Sequence, residues 1–217
     1  MLSSNDRSDT GQSLDLRTAL KRRQILDGAR QVFLLNGYAG ASMEEITARA
    51  GVSKGSIYHH FDNKDALFGF LIRAEAERIA RVLPAPDPND PDPASALRPL
   101  GVAVLETLDN PATIATLRLI IGALGQFPHL GEAFLQDSLG PTVERITVYL
   151  DDRSVAGVFR IDDSRALAEG FARRCLAQAM ERVLVTDPPH RTDAERSAVV
   201  EEALWGLALA IPSDQGE

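Results

Sequence analysis

The chain has 217 residues with 23 basic and 31 acidic side chains, which gives a formal net charge of −8 at pH 7. Its content of 44% hydrophobic and 25% charged residues is typical of globular proteins. No apolar stretch is long enough to span a bilayer, the polar N-terminus does not resemble a signal peptide, and the single Cys175 excludes an intrachain disulfide. We therefore expect a cytoplasmic protein of one or two domains that does not enter a membrane.

The N-terminal region combines a polar tail with a predicted helix. Residues 1–17 are polar and aperiodic, which predicts a disordered tail. From about 18 to 36 apolar side chains recur at helical spacing, and Gly37 is expected to end that helix. A basic cluster leads into the helix, at Arg17, Lys21, Arg22 and Arg23. This cluster fits either a contact with nucleic-acid phosphate or a solvated helix start, and the sequence leaves both open.

Residues 42–64, SMEEITARAGVSKGSIYHHFDNK, have the pattern of a helix-turn-helix. Ser42 and Glu45 have the spacing of a capping box at the start of a first short helix. Gly51 stands where that helix must end in a left-handed turn, which glycine enters without steric cost. Ser53 then provides the N-cap of a second short helix.

The second short helix has a buried side with Ile57 and Phe61 and an outward face that contains no acidic residue. The outward residues are Lys54, Gly55, Ser56, Tyr58, His59 and His60. Short, hydroxylated, aromatic and basic side chains suit a DNA major groove better than a protein core. The sequence therefore predicts that this helix binds DNA.

The position of each outward residue on the helix predicts whether it contacts DNA bases or phosphates. Lys54 and Ser56 lie in the first turn and are expected to approach base edges, while Gly55 lets the backbone come close. Tyr58 and His60 each offer a hydrogen-bond donor at the rim, where phosphates are expected.

Three more residues need an interpretation. Lys64 begins the next helix, whose free amides and added charge suit a phosphate, and Ser42 is assigned to the same DNA-binding surface. His59 and His60 could suggest a metal site, but adjacent helical side chains point about 100° apart and cannot chelate one ion. No metal is therefore assigned to the pair.

Together these residues resemble the TetR family of bacterial transcriptional regulators. The matching strings are ILDGA at 25–29, VF at 32–33, NGY at 36–38, AGVS at 50–53, GSIYHHF at 55–61 and NK at 63–64. The resemblance covers about residues 18–80, with the helix-turn-helix at about 42–61. It implies an all-α protein, with an N-terminal three-helix DNA-binding domain and a C-terminal helical domain for ligand binding and dimerisation.

Beyond the motif the sequence predicts helices and one long connection. Asn63 caps a helix to about Val82, and residues 84–93, PAPDPNDPDP, contain five prolines that predict an extended connection. The second domain is assigned to residues 94–217. Its helices are expected at 94–109, 112–126, 130–156, 163–185 and 193–211. Within it, residues 158–161 could form a short strand, and residues 186–190 are expected to form a turn.

An apolar effector is expected to bind inside the second domain. The residues assigned to this site are Leu117, Arg118, Ile121, Leu124 and Phe127. Arg118 is the candidate polar group there, although a place on the surface is equally compatible with the sequence. His129 and Glu132 could bind a metal or a polar ligand, but a pair of residues is a weak signal and no metal is assigned.

The helix predicted at 163–185 carries apolar residues on two sides, which must both be covered. A core within one chain and a second subunit are both compatible with this pattern. The family resemblance implies dimerisation through the last two long helices. The residues assigned to the interface are Phe171, Cys175, Leu204, Trp205 and Ala208.

The distribution of charge supports nucleic-acid binding despite the acidic total. Residues 1–83 contain 12 basic and 10 acidic side chains, whereas residues 84–217 contain 11 and 21. Attraction to phosphate decays within about 8–10 Å at physiological salt, so the local balance outweighs the total charge.

The expected function is that of a dimeric, sequence-specific regulator, most simply a repressor that a small apolar ligand releases from double-stranded operator DNA. No phosphate-binding loop, catalytic triad or cluster of metal ligands is found in the sequence, and no cofactor is expected. The alternative is an enzyme or small-molecule carrier in the second domain, with a vestigial helix-turn-helix. The outward face of the second motif helix argues against that alternative, since a relic would be expected to acquire ordinary surface charges.

Overall fold

The structure is a computed structural model that describes residues 6–185 and 191–208, without the side chains of residues 6–15, 179 and 206–208. Within these ranges the chain forms nine helices and no strand, which confirms the predicted all-α class. The helices are α1 Asp6–Gly40, α2 Met43–Ala50, α3 Lys54–His60, α4 Lys64–Val82, α5 Pro93–Asp109, α6 Pro111–Ala123, α7 Pro128–Val155, α8 Ser164–Leu184 and α9 Asp193–Ala208. None of these described helices combines the length and the apolar character that crossing a membrane requires.

The helices form two compact units, Met1–Ile72 and Arg73–Glu217. The division falls inside α4, whereas composition alone suggested the proline-rich connection at 84–93. The difference arises because the second half of α4 makes specific contacts with α6 and α7. Arg78 donates a hydrogen bond to Thr113 at 3.2 Å, and Arg145 donates to the backbone oxygen of Ala80 at 2.9 Å.

α1 differs from its predicted extent at the start and agrees with it at the end. The predicted tail at 1–17 is wrong for residues 6–17, which belong to α1, while residues 1–5 lie outside the described residues. Once a helix has nucleated, each further residue adds a hydrogen bond, and residues 6–17 contain no proline to stop it. At the other end, Gly37 has φ 67° and interrupts the helix as expected.

The first unit is held together by a close approach of α1 to α2. A Cβ atom at Gly28 would lie 2.7 Å from the backbone nitrogen of Ala50, so only glycine allows this spacing. The side-chain amide of Gln24 donates a hydrogen bond to the backbone oxygen of Ala50 at 2.7 Å, which satisfies a carbonyl at the end of α2. Nearby, the rings of Tyr38 and Phe68 pack 4.9 Å apart.

Several helices of the second unit begin with a capping side chain. Asp92 caps α5, Asp163 caps α8, and Thr192 forms a capping box with Glu195 at the start of α9. α7 runs as one helix through Pro141, where the sequence left one helix or two open. Residues 158–161 form no strand, the turn predicted at 186–190 lies outside the described residues, and so does the end predicted for the last helix at 211.

α8 lies at the centre of the second unit, in contact with α5, α7 and α9. Phe171, Cys175 and Leu204 are buried in that unit, so their assignment to a subunit interface is wrong. A helix that is apolar on two sides must be covered on two sides, and here α5, α7 and α9 of the same chain all pack against it. Burial raises the pKa of the Cys175 thiol to about 12, which keeps it protonated and unreactive.

A buried group of charges joins α5, α8 and the start of α9. Asp109, at the end of α5, is 7% exposed. Its carboxylate lies 2.9 Å from Nε of Arg182, 3.0 Å from Nη1 of Arg191 and 3.8 Å from Nη1 of Arg196. One acidic side chain thus holds together three separate basic ones.

Candidate DNA-binding surface and ligand cavity

The caps predicted for the helix-turn-helix are present. At the start of α2, Ser42 Oγ accepts a hydrogen bond from the backbone nitrogen of Glu45 at 3.2 Å, and Glu45 accepts one from the backbone nitrogen of Ser42 at 3.0 Å. Gly51 ends α2 in the left-handed conformation, with φ 62° and ψ 39°. Ser53 Oγ accepts from the backbone nitrogen of Ser56 at 3.2 Å and begins α3.

α3 presents the outward face that the sequence predicts. Ile57 and Phe61 are buried and fix the orientation of the helix. Four of the outward residues are exposed, namely Lys54, Gly55, Tyr58 and His59, and the other two, Ser56 and His60, are half-buried. The face therefore exposes basic, aromatic and small residues and contributes no acidic side chain of its own.

Glu44 of α2 brings a carboxylate to this face, which the sequence analysis missed. Its Oε1 lies 3.5 Å from Nζ of Lys54, and both side chains are exposed. Together with Tyr58 they border a shallow depression of about 220 Å³ between α2 and α3. The only sequence signal was an acidic residue in the first turn of α2, and its contact with α3 depends on how the turn folds the two helices together.

His60 has its protonation controlled by its surroundings. Burial lowers the pKa of its imidazole, and the positive charges of His59, Arg22 and Lys21 lower it further. His60 is therefore neutral at pH 7, where it can donate one hydrogen bond but carries no charge.

Lys64 has a structural role that the sequence did not reveal. Its ammonium group donates hydrogen bonds to the backbone oxygens of Tyr38 and Ala41, each at 2.9 Å, and lies 4.4 Å from the centre of the Tyr38 ring. Two of its three protons thus hold the end of α1, which leaves one for a phosphate. The hydroxyl of Tyr38 donates a hydrogen bond to Asp65. Burial raises the pKa of this hydroxyl, and the nearby carboxylate of Asp65 raises it further.

In the basic cluster of α1, at residues 17–23, some side chains pack against other residues and others are exposed to solvent. The guanidinium of Arg22 stacks over the ring of Phe70, 3.7 Å from its centre. Lys21 donates a hydrogen bond to Gln24 at 3.1 Å, while Arg17 and Arg23 are exposed. This arrangement agrees in part with each of the two interpretations that the sequence left open.

The second unit contains an apolar cavity of about 360 Å³ among α4, α5, α6, α7 and α8. Three of the residues predicted to line a ligand site lie on its wall, namely Leu117, Ile121 and Leu124. Phe127 does not border it. Ile79 of α4 and Leu108 of α5 do, although their distance in sequence from the other residues concealed this.

Arg118 is not a pocket residue, so that assignment is wrong. Its Nε donates to the backbone oxygen of Val183 at 2.8 Å, and its Nη2 donates to those of Arg182 and Val185. The last carbonyls of a helix have no partner within it, and an arginine satisfies them well. Arg118 therefore caps the end of α8.

Of the side chains that the structure describes, two polar ones border the cavity, Glu132 and Ser138. Ser138 donates its hydroxyl proton to the backbone oxygen of Phe134 at 2.7 Å. His129, the partner of Glu132 in the sequence analysis, does not border the cavity. Across the described ranges, no three His, Cys, Asp or Glu side chains come together as metal ligands.

The second half of α4 makes hydrogen bonds with two of the helices that enclose this cavity. Arg78 makes two hydrogen bonds to the buried Glu75, at 2.7 and 3.1 Å, besides its bond to Thr113 of α6. Arg145 of α7 donates to the backbone oxygen of Leu83 at 2.7 Å. The C-terminal half of α4 is thus hydrogen-bonded to α6 and α7, two of the helices that enclose the cavity.

A capped helix-turn-helix with an acid-free second helix, joined to a helical unit that encloses an apolar cavity, defines a DNA-binding regulator. Comparison with known proteins then specifies the family. Residues 25–69 match the bacterial regulatory proteins of the tetR family, and residues 95–205 match the C-terminal domain of AefR-like transcriptional repressors. The chain therefore belongs to the TetR family, whose members are transcriptional regulators and not enzymes.

Individual relatives of the chain are also named as transcriptional regulators. The HTH-type transcriptional repressor Rv1474c of Mycobacterium tuberculosis is 50% identical over 64 residues, which are 30% of this chain and 34% of that protein. The part of the chain that matches thus spans about a third of the length of that relative. An uncharacterised regulator of the same organism, Rv1255c, is 35% identical over 145 residues, 59% of this chain and 70% of that one.

Among solved structures, the flavonoid-responsive regulator FrrA is 29% identical and superposes with a TM-score of 0.74. The match covers 89% of this chain and 97% of FrrA. The similarity therefore extends through both units of the chain.

Proposed function

We propose that this protein is a homodimeric, cytoplasmic repressor that binds a pseudo-palindromic operator and leaves it when a small apolar ligand occupies the second unit. The observation that carries the proposal is the outward face of α3, which the two caps and the buried Ile57 hold in place. The similarity to a mycobacterial protein named as a repressor and to AefR-like repressors favours repression over activation.

On α3 the roles divide between reading bases and positioning the protein. Lys54, in the first turn, is proposed to contact base edges, with Ser56 beside it and Gly55 allowing close approach. Tyr58 and His60 are proposed to donate hydrogen bonds to phosphates, which fix position without reading sequence.

Outside α3, Lys64 is proposed to add one phosphate contact with its remaining proton. The outward half of the basic cluster, Arg17 and Arg23, is free to add attraction to the DNA backbone.

A dimer is proposed because two recognition helices must reach successive major grooves about 34–36 Å apart. Exposed apolar side chains on the last two helices support it, since Trp205 of α9 is 74% exposed and Leu184 of α8 is 82% exposed. In this proposal Trp205 stays an interface residue, and Leu184 takes the place of the buried Phe171, Cys175 and Leu204. Ala208 is the last residue of α9, and its side chain lies outside the described residues.

The effector is proposed to bind in the apolar cavity. Leu117, Ile121 and Leu124 line it, as does Ile79 from the second half of α4. α4 begins at Lys64, shortly after α3 ends at His60, so a ligand that favours one position of α4 would also favour one position of α3. A coupling of about 1–3 kcal/mol would be typical of such regulators.

The test begins with an operator obtained by selection from a random duplex library. Binding to this operator and to a scrambled duplex is then measured across a salt series. Lys54→Ala should lower the preference for the operator by about 1–3 kcal/mol. Tyr58→Phe should weaken binding to both duplexes alike, because a phosphate contact carries no sequence information.

Two results would contradict the proposal. The first is the failure of both variants to change binding, which would place the DNA-binding surface elsewhere. The second is sedimentation at micromolar concentration as a monomer of 23.5 kDa rather than a species of about twice that mass, with or without the operator.

A further inference from the structure

The cavity of the second unit is apolar except on one wall. On α7, helical spacing brings Pro128, Leu135 and Leu139 to the cavity, and Glu132 interrupts this apolar face. Among the described residues, Glu132 is the only charged side chain that borders the cavity. Its carboxylate forms no hydrogen bond or ion pair with any other described residue. A ligand in the cavity would therefore find this carboxylate available.

The other polar groups of the region cannot supply a hydrogen-bond donor to a ligand. Ser138 already donates its only proton to Phe134, so its oxygen can only accept. Arg118, on the helix that carries Leu117 and Ile121, uses its guanidinium to cap α8. The cavity thus offers hydrogen-bond acceptors and one negative charge to its occupant.

The position of Glu132 indicates how an occupant would lie. Glu132 is exposed, whereas Leu117 and Phe134 are buried at the inner wall. An amphiphilic molecule would therefore keep its polar head beside Glu132 and near water, with its apolar body inside. A carboxylate head would be repelled by Glu132 and would find no hydrogen-bond donor there.

We propose that the cavity binds an amphiphilic amine, a small apolar molecule whose protonated amino group pairs with Glu132. The cation and the carboxylate would form a charge-assisted hydrogen bond, which is stronger than a bond between neutral groups. A volume of about 360 Å³ suits a compact body of this kind, and Met180 on the wall can adjust its shape to it. This inference rests on the proposed function, because it concerns the same effector cavity.

The test uses three probes that share one apolar body, phenylbutylamine, phenylbutanol and phenylbutyrate. Calorimetric titration of the full chain should show the amine binding about three- to fivefold more tightly than the alcohol or the acid, as expected for an ion pair with an exposed carboxylate. Glu132→Gln keeps the shape of the side chain and removes its charge. This variant should lose the preference for the amine and keep its affinity for the alcohol.

A matched control separates this effect from a general change in charge. Glu106→Gln alters an exposed carboxylate of α5 that does not border the cavity, and it should leave the preference for the amine unchanged. Equal affinity for all three probes, tighter binding of the acid, no binding of any probe, or a preference that survives in Glu132→Gln would each overturn the proposal.

Titrating the operator complex with the same probes separates this inference from the proposed function. If the unliganded chain binds its operator but shows the wrong preference among head groups, only the amine assignment fails. If the unliganded chain does not bind a selected operator, the proposed function fails as well.

Discussion

Single residues outside α3 set the charge of its outward face. Glu44 of α2 lies 3.5 Å from Lys54, so part of the positive charge of Lys54 is neutralised where DNA would approach. Besides burial, the positive charges of Arg22 and Lys21 on α1 help to keep His60 neutral. Both effects concern electrostatics at the proposed DNA contact, and each leads to a measurable expectation.

Glu44→Gln is expected to strengthen binding to scrambled duplex DNA more than binding to the operator. The substitution removes a negative charge near the phosphates, which benefits every duplex, whereas base contacts by Lys54 benefit only the operator. The measurement is a pair of affinities at low and high salt, with Glu106→Gln as the control. Unchanged affinity for scrambled DNA at low salt would show that Glu44 does not face the duplex.

His60 should make DNA binding dependent on pH. Its pKa is lowered in the free protein, and a phosphate beside it would raise the pKa in the complex. The complex would then bind more protons than the free protein, so affinity should rise as pH falls through the pKa of the complex and level off below that of the free protein.

His60→Gln should abolish this dependence, because glutamine keeps a hydrogen-bond donor and does not titrate. Affinities measured between about pH 8 and pH 5.5 would test it, a range around the ordinary pKa of histidine. The control is His129→Gln in the second unit, which should leave the dependence unchanged. The same pH profile in His60→Gln and in the unaltered protein would remove His60 from the proposed interface.

At the scale of helices, two glycines are expected to have different roles, because one is closely packed and the other is open to solvent. Gly28 lies where α1 touches the backbone of Ala50, whereas a Cβ atom at Gly55 would meet nothing within 4 Å. Glycine at the first position permits close packing of two helices. At the second it lowers the stability of α3 without any packing reason.

Gly28→Ala is expected to destabilise the first unit by about 1–3 kcal/mol, because the added methyl group would force α1 away from α2. Chemical denaturation followed by circular dichroism measures this loss. Since the contact is with backbone atoms, no rotation of a side chain can relieve it. Unchanged stability would mean that the two helices are farther apart than described.

Gly55→Ala is expected to act in the opposite direction on stability and to weaken DNA binding. Replacing a solvent-exposed helical glycine by alanine stabilises a helix by up to about 1 kcal/mol. The methyl group would at the same time hinder the close approach of α3 to DNA. A variant with a higher melting temperature and undiminished operator affinity would show that the backbone at this position does not approach the duplex.

For the second unit as a whole, the buried charges at Asp109 are expected to be essential. Asp109→Asn would leave the buried Arg182 and the half-buried Arg191 and Arg196 without their common counter-charge, at a cost of about 3–5 kcal/mol. Thermal denaturation measures the change. The control is Asp193→Asn, which removes an exposed partner of Arg196 and should change the melting temperature little. Equal effects of the two substitutions would contradict a central role for Asp109.

The sequence by itself determined those features that depend on neighbouring residues in the chain. The capping box at Ser42, the left-handed turn at Gly51 and the outward face of α3 could all be predicted, because each arises within one or two helical turns. The all-α class and the membership of the TetR family rest on the same local patterns. So does the place of Leu117 and Ile121 on one cavity wall, since both lie on one face of α6.

Only the tertiary structure decided which partners distant residues meet. Arg118 turned out to cap α8, Lys64 to hold the end of α1, and Phe171 to lie in the core of the second unit. Ile79 joined the cavity, and Glu44 came within reach of Lys54. Helical periodicity shows which side of a helix is apolar or charged, but it does not show what covers that side, because packing depends on the crossing of helices that lie far apart in sequence.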